Sequence, residues 1–245
     1  MDATASVIPI INPEVTSLEE ESEEDSNKEV MLLVEDNQEL RTFLRTIFSP
    51  VYRVIEAVDG MDGWSKALKF VPDIIISDVM MPEKDGIEMT KELRADMTTS
   101  HIPIVLLTAK TSIESKLEGL EYGADDYITK PFSATYLKAR VENLLAQRHK
   151  LQSFYRDNLM NSVLSSTAVS EEVVLEEEKL PEMSPNDRKF MDKLIELMEK
   201  NMDNGDLVVD DLVREVAVSR SVFFKKLKTL TGLAPIEFIK EMRIN

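Results

Sequence analysis

Short apolar runs alternate with amphipathic stretches through the first half of the chain, and this alternation sets its architecture. Residues 30–35, 53–57, 74–78, 102–108 and 126–129 are compact runs dominated by Val, Ile and Leu, the pattern of strands covered on both faces. The run 53–57 is more mixed and suits the edge of a sheet. Between the strands lie segments with helical spacing at 39–48, 60–70, 87–96 and 112–122, and a fifth at 134–148 follows the last strand. Asn37, Thr111 or Ser112, and Ser133 are placed to act as N-caps, and Gly123 stands where a helix C-cap belongs. Strand–helix alternation with right-handed crossovers predicts a doubly wound parallel α/β domain with helices on both faces.

The pattern changes after residue 151. Helical spacing could continue to about residue 162, then gives way to a Ser- and Glu-rich stretch ending in Pro181, which reads as a linker. Four helical segments follow at 185–202, 209–216, 221–230 and 235–244, with no strand pattern between them. The leading residues 1–28 have no period and read as an acidic flexible tether. The expected organisation is a tether (1–28), an α/β domain (29–150), a partly helical linker (151–183) and a small all-α segment (184–245).

Charge and composition narrow the function. A net charge of −17 argues against polyanion binding by the chain as a whole. The charge is uneven: 19–25 and 171–178 are acidic, whereas 220–228 carries only basic charges, so any nucleic-acid contact must be local. The chain contains no cysteine, which excludes disulfides and thiolate metal sites and fits a reducing compartment. Its apolar runs all fall short of the ~20 residues needed to span a bilayer. Its first residues lack the basic start of a signal peptide, so a cytoplasmic location is expected. The two histidines, His101 and His149, lie outside any phosphotransfer context and read as structural or surface residues.

The strand ends carry the chemistry. Residues 30–34 run into Glu35 and Asp36, 73–77 into Asp78, 102–107 into Thr108, and 127–129 into Lys130 and Pro131. In an open parallel sheet these positions converge at the carboxyl edge, near the point where strand order reverses. Two carboxylates ~5 Å apart at an effective dielectric of ~20 repel by roughly 3 kcal/mol, so three together call for a proton or a cation. Hard oxygen ligands with room for water suit Mg²⁺. Asp78 could then attack phosphorus as a carboxylate nucleophile, with Lys130 supplying a compact cation.

These residues resemble those of a two-component receiver domain. The resemblance runs over residues 30–147. It is carried by Glu35-Asp36, Asp78, Met81-Pro82, Asp85-Gly86, Thr108-Ala109, Gly123-Ala124-Asp125-Asp126-Tyr127 and Lys130-Pro131-Phe132. It implies a flavodoxin-like sheet of order 2-1-3-4-5, with Asp78 as phosphoacceptor and Mg²⁺ held by Glu35, Asp36, Asp78 and the Met80 carbonyl. It further implies that Thr108 and Lys130 bind phosphoryl oxygens, that Tyr127 is a switch aromatic turning inward when Thr108 moves, and that the Lys130–Pro131 bond is cis. The donor would be a histidine kinase or phosphotransfer domain, and phosphorylation would pair receivers into a homodimer.

The C-terminal segments read as helix, turn, helix. Ser219 suits an N-cap, Phe223, Leu227 and Leu230 share a core-facing stripe, and Ser221, Phe224, Lys225 and Lys228 fall on the opposite side. Residues 207–243 resemble the first half of an AraC-type DNA-binding domain, through Leu212, Ala217, Ser219-Arg220-Ser221, Phe223, Lys225, Leu227-Lys228, Thr231-Gly232 and Pro235-Ile236-Glu237-Phe238-Ile239. That resemblance makes Arg220, Ser221, Lys225 and Lys228 the candidate DNA contacts. The second helix-turn-helix unit of that family is not in the sequence, so weak DNA binding by this chain and an exposed apolar face near 235–244 are expected. The reading is a phosphorelay response regulator whose output acts on DNA, with a hybrid kinase as a possible parent. The alternative is a relay receiver whose helical tail docks a protein.

Overall fold

The computed structural model describes residues 28–109, 123–164, 183–201 and 207–244. Five strands, β1 (Val30–Val34), β2 (Arg53–Ala57), β3 (Ile74–Asp78), β4 (Ile104–Thr108) and β5 (Asp126–Thr129), form one parallel sheet of order β2-β1-β3-β4-β5. The mixed run 53–57 does form an edge strand. β4 begins two residues later than its apolar run: Pro103 has no N–H to donate, although its carbonyl accepts from Ile75.

Strand alternation builds two cores. Leu32, Val34, Ile75, Ile104 and Leu106 face α2 (Gly60–Phe70) and α3 (Gly86–Ala95), meeting Ala67, Met89 and Leu93. Met31, Leu33, Ile74, Ile76, Val105 and Leu107 face the other way, onto Leu44 and Phe48 of α1 (Gln38–Phe48) and Leu137 and Val141 of α4 (Ala134–Leu164). Asn37 caps α1, accepting from the Leu40 N–H at 2.9 Å. Asp59 and Asp85 cap α2 and α3 in the same way. The expected helix at 112–122, with its caps Thr111 or Ser112, lies outside the described residues, as do most of the tether and of the Ser- and Glu-rich linker. α4 runs unbroken for 31 residues, across the boundary expected at 150.

The C-terminal helices α5 (Pro185–Lys200), α6 (Val209–Val216), α7 (Arg220–Thr231) and α8 (Pro235–Ile244) close around a third core containing Phe190, Leu194, Met198, Leu212, Phe223, Leu227 and Phe238. Ser219 caps α7 and Gly232, at φ +74°, ends it in the left-handed conformation. The exposed face expected near 235–244 is corrected: Phe238, Ile239 and Met242 are buried, and Ile236 is exposed. Amphipathic spacing lets α8 bury one stripe against α6 and α7 without a further domain.

This module sits on the amino-terminal edge of the sheet, away from Asp78. Val222 of α7 joins the first core, and Met97, which follows α3, packs onto the third. Lys226 of α7 is fully buried; its ammonium lies 2.8 Å from Asp187 of α5, donates to the Ser100 hydroxyl at 3.0 Å, and also reaches the Met97 carbonyl. The Ser100 hydroxyl in turn donates to Asp187 at 2.8 Å. Asn186 donates to the Arg94 carbonyl at 3.0 Å, and Gln152 of α4 to the Thr229 carbonyl.

His101 is buried at this seam. Burial, with the cations Arg148, Lys226, Arg94 and Lys225 around it, holds its pKa well below 6.5. The unfolded chain therefore takes up a proton at this residue that the folded chain refuses, and stability is lost as pH falls below 6.5. The slope approaches at most ~1.4 kcal/mol per pH unit. Urea unfolding followed from neutral to mildly acidic pH should show a steeper loss for the wild type than for His101→Gln. Parallel profiles would remove His101 as the source.

Candidate functional site

Ladder register brings the reactive strand ends together. Val34 pairs with Ser77, Asp78 with Leu107, and Thr108 with Thr129, so Glu35, Asp36, Asp78, Thr108 and Lys130 all emerge at the carboxyl edge. From β1 the chain crosses outward to β2, then returns to β3 on the other side, which opens a crevice between β1 and β3.

In that crevice, carboxylate oxygens of Glu35, Asp36 and Asp78 lie within 4.8 Å of one another. Glu35 and Asp78 are buried and Asp36 is exposed, so the cluster is open to solvent on one side. The Lys130 ammonium bridges the two buried carboxylates, 2.9 Å from Asp78 and 3.0 Å from Glu35. Burial pushes the Glu35 carboxyl up and the Asp78 charge adds to the rise, opposed by Lys130 and by the Asn37 N–H at 3.3 Å. Three hard oxygen donors with one exposed member fit a divalent cation such as Mg²⁺ that keeps several waters.

Neighbouring backbone holds the acceptor in place. The Ser77 hydroxyl donates to the Asp78 carbonyl at 2.8 Å, and the Val79 N–H donates to the Leu107 carbonyl at 2.9 Å. A Cβ on Gly86 would lie 2.1 Å from that Asp78 carbonyl, so only glycine lets α3 start this close to β3. Thr108 is buried at the end of β4, and its carbonyl accepts from the Lys130 N–H at 2.7 Å. The Lys130–Pro131 bond is cis, as the resemblance implied. Tyr127, opposite Leu106 in the ladder, packs partly buried against the first core. Met80 follows β3 with its side chain exposed.

The C-terminal candidates divide. Arg220, Ser221 and Lys228 are exposed; Arg220 pairs with Asp210 at 2.7 Å and lies over the Phe224 ring at 5.4 Å. The Ser221 hydroxyl is 3.2 Å from that of Ser219. The outward placement expected of Lys225 is corrected: it is half-buried and its ammonium donates to the Phe70 carbonyl of α2 at 2.7 Å. Helical spacing turned it away from its own core correctly, but that side faces the first domain. Sequence reasoning missed Lys226, Asp187 and Ser100 altogether, because their meeting depends on packing between segments far apart in the chain.

The fold and crevice define a flavodoxin-like α/β domain that gathers carboxylates and one lysine at its switch point. A family model for the response regulator receiver domain matches residues 31–142, and this part of the chain belongs to that family. The chain is 36% identical over 231 residues to "Histidine kinase P4" of Formosa agariphila, a match covering 93% of this chain and 16% of that protein. It is 41% identical over 119 residues to "Response regulator ArlR" of Staphylococcus aureus, covering 48% of this chain and 53% of that one. Among solved structures, a Francisella response regulator receiver domain is 36% identical, with a TM-score of 0.46, 50% of this chain and 99% of that chain covered. The chain thus spans a small part of the kinase and about half of the regulator.

Proposed function

We propose that Asp78 accepts a phosphoryl group from a phosphohistidine and that the C-terminal module carries the response to DNA. The observation that carries the first part is Lys130 held 2.9 Å from Asp78, beside three clustered carboxylates. An Asp78 oxygen attacks phosphorus, the bond from phosphorus to the donor imidazole breaks, and the product is an acyl phosphate. Lys130 releases its pairing to Asp78 and takes a phosphoryl oxygen, and the Thr108 hydroxyl donates to another. Glu35, Asp36, Asp78 and the Met80 carbonyl would hold Mg²⁺, which offsets the negative charge gathered there. Tyr127 turns further inward as Thr108 moves and so reports the phosphoryl group to the surface that pairs two receivers.

The donor is a histidine kinase or phosphotransfer domain. The similarity to a protein named as a histidine kinase extends over nearly the whole chain, which supports a hybrid parent in which kinase and receiver share one polypeptide. Support for the DNA-linked output is the helix-turn-helix arrangement of α6 and α7, with Arg220, Ser221 and Lys228 exposed on α7.

The test is incubation with acetyl phosphate and Mg²⁺, followed by intact mass and oligomeric state. One phosphoryl adduct, absent when the metal is chelated and mapped to the peptide bearing Asp78, is the expected result. An adduct on another residue would overturn the assignment. Dimerisation with the adduct supports the pairing step, and a labelled monomer would remove it.

A further inference from the structure

At the seam between the two modules lies a cavity of about 530 Å³, far from Asp78 and untouched by the phosphorelay reading. Its volume falls within the range of small-molecule sites. Leu144 and Leu151 of α4, Pro103, Met183 and Leu230 give it apolar walls. Its polar groups are unequal in their partners. Arg94 and Asp125 pair with each other, and Asp187 is neutralised by Lys226, so these four charges cancel.

Arg148 is left over. Among the described residues it makes no hydrogen bond and no ion pair, although burial pulls its pKa down to about 10. The charges of Asp125, Asp187 and Asp73 oppose part of the cost of burial, yet none contacts the guanidinium directly, and a half-buried cation without a paired anion is costly. His101 lines the same cavity at 7% exposure, and its Nδ1 has no hydrogen-bond partner. The amino-terminal turn of α5, residues Ser184 to Asp187, forms another part of the wall, with the Asp187 carboxylate already in that turn. Arg148 therefore calls for an anion and the bare His101 Nδ1 for a hydrogen-bond partner, and the apolar walls suit a hydrocarbon body.

We propose that this cavity binds a small amphipathic organic acid, its carboxylate on Arg148 and His101 and its apolar body against Leu144 and Leu151. One unpaired cation matches a single negative charge, which favours a monocarboxylate over a polyanion. The bound acid would touch α4, the segment before β4, and α5 and α7 together, so its binding would be linked to how the modules are held. The site makes no use of Asp78, so it stands or falls separately from the phosphorelay.

Octanoate serves as the probe and octanamide as its uncharged counterpart, titrated into the full chain by calorimetry and by backbone amide NMR. Saturable octanoate binding is expected, with shifts centred on Leu144, Arg148, Leu151 and His101. Octanamide should bind at least about tenfold more weakly, and Arg148→Gln should weaken octanoate by a similar factor. Leu151→Trp, which fills the cavity and leaves the charge, should block both probes; unfolding midpoints of the free variants check that each is folded. Equal binding of octanoate and octanamide would overturn the anion site, as would octanoate binding unchanged in folded Arg148→Gln. Absence of saturable octanoate binding to the wild type would overturn the proposal outright.

Discussion

Asp78→Asn should take labelling by acetyl phosphate to background while leaving the domain folded. The amide has no nucleophilic oxygen to form an acyl phosphate. The expectation for stability comes from opposed charges. At an effective dielectric of ~20, Asp78 repels Glu35 and Asp36 by ~3 kcal/mol each across separations of up to 4.8 Å, and it attracts Lys130 at 2.9 Å by ~6 kcal/mol. These nearly cancel, so removing the charge should change the unfolding free energy by no more than about 1 kcal/mol. Lys130 keeps Glu35 as its partner. Intact mass and urea unfolding on the same sample separate the two effects. Stoichiometric labelling of the variant would overturn the acceptor assignment.

Lys226→Ala should be among the most damaging single changes outside the sheet, costing roughly 3–5 kcal/mol. The substitution strands Asp187, which is 4% exposed, with the Ser100 hydroxyl as its one remaining side-chain hydrogen bond among the described residues. The double variant Lys226→Met, Asp187→Leu removes both charges together and should recover most of that loss, since a buried pair is often no better than an apolar replacement. Two probes locate the damage. The chain's single tryptophan, Trp64, packs against the first core and reports the receiver, whereas far-UV circular dichroism reports every helix. In Lys226→Ala the dichroism transition should move to lower urea ahead of the Trp64 transition. A loss below about 1 kcal/mol would mean the pair contributes little to holding the module. Because Lys225 and Lys226 of the same helix are both engaged with the receiver, this variant should also free more of α7 for DNA, measurable as a gain in mobility-shift affinity.

Much of the receiver was legible because its rules are local. Alternate residues of β1 go to opposite cores, Met31 and Leu33 to one and Leu32 and Val34 to the other, as period-two geometry requires. Asp78 and Lys130 could be paired from sequence because each ends a strand, and parallel strands share one carboxyl edge. Asp85 and Gly86 were visible only as part of a motif; the structure gives them jobs, one capping α3 and the other clearing the Asp78 carbonyl. Lys226 was illegible for a physical reason. In a basic helix a lysine reads as solvated, and its burial depends on Ser100 and Asp187, which approach it only after two modules have packed. Lys225 failed in the same way: its helical phase was right, but phase does not say whether water or a neighbouring domain lies outside.

The unbroken α4 makes the link between modules a matter of length more than of composition. Its 31 residues form a rod of about 46 Å that leaves the receiver core at Leu145 and meets the Thr229 carbonyl through Gln152. Along such a rod, one inserted residue turns everything beyond it by about 100°. Surface positions between Leu145 and Gln152 can therefore drift in sequence, whereas their number is fixed by the phase at which α7 must arrive. Torque delivered to the receiver end would reach the C-terminal helices as rotation, with little dissipated on the way.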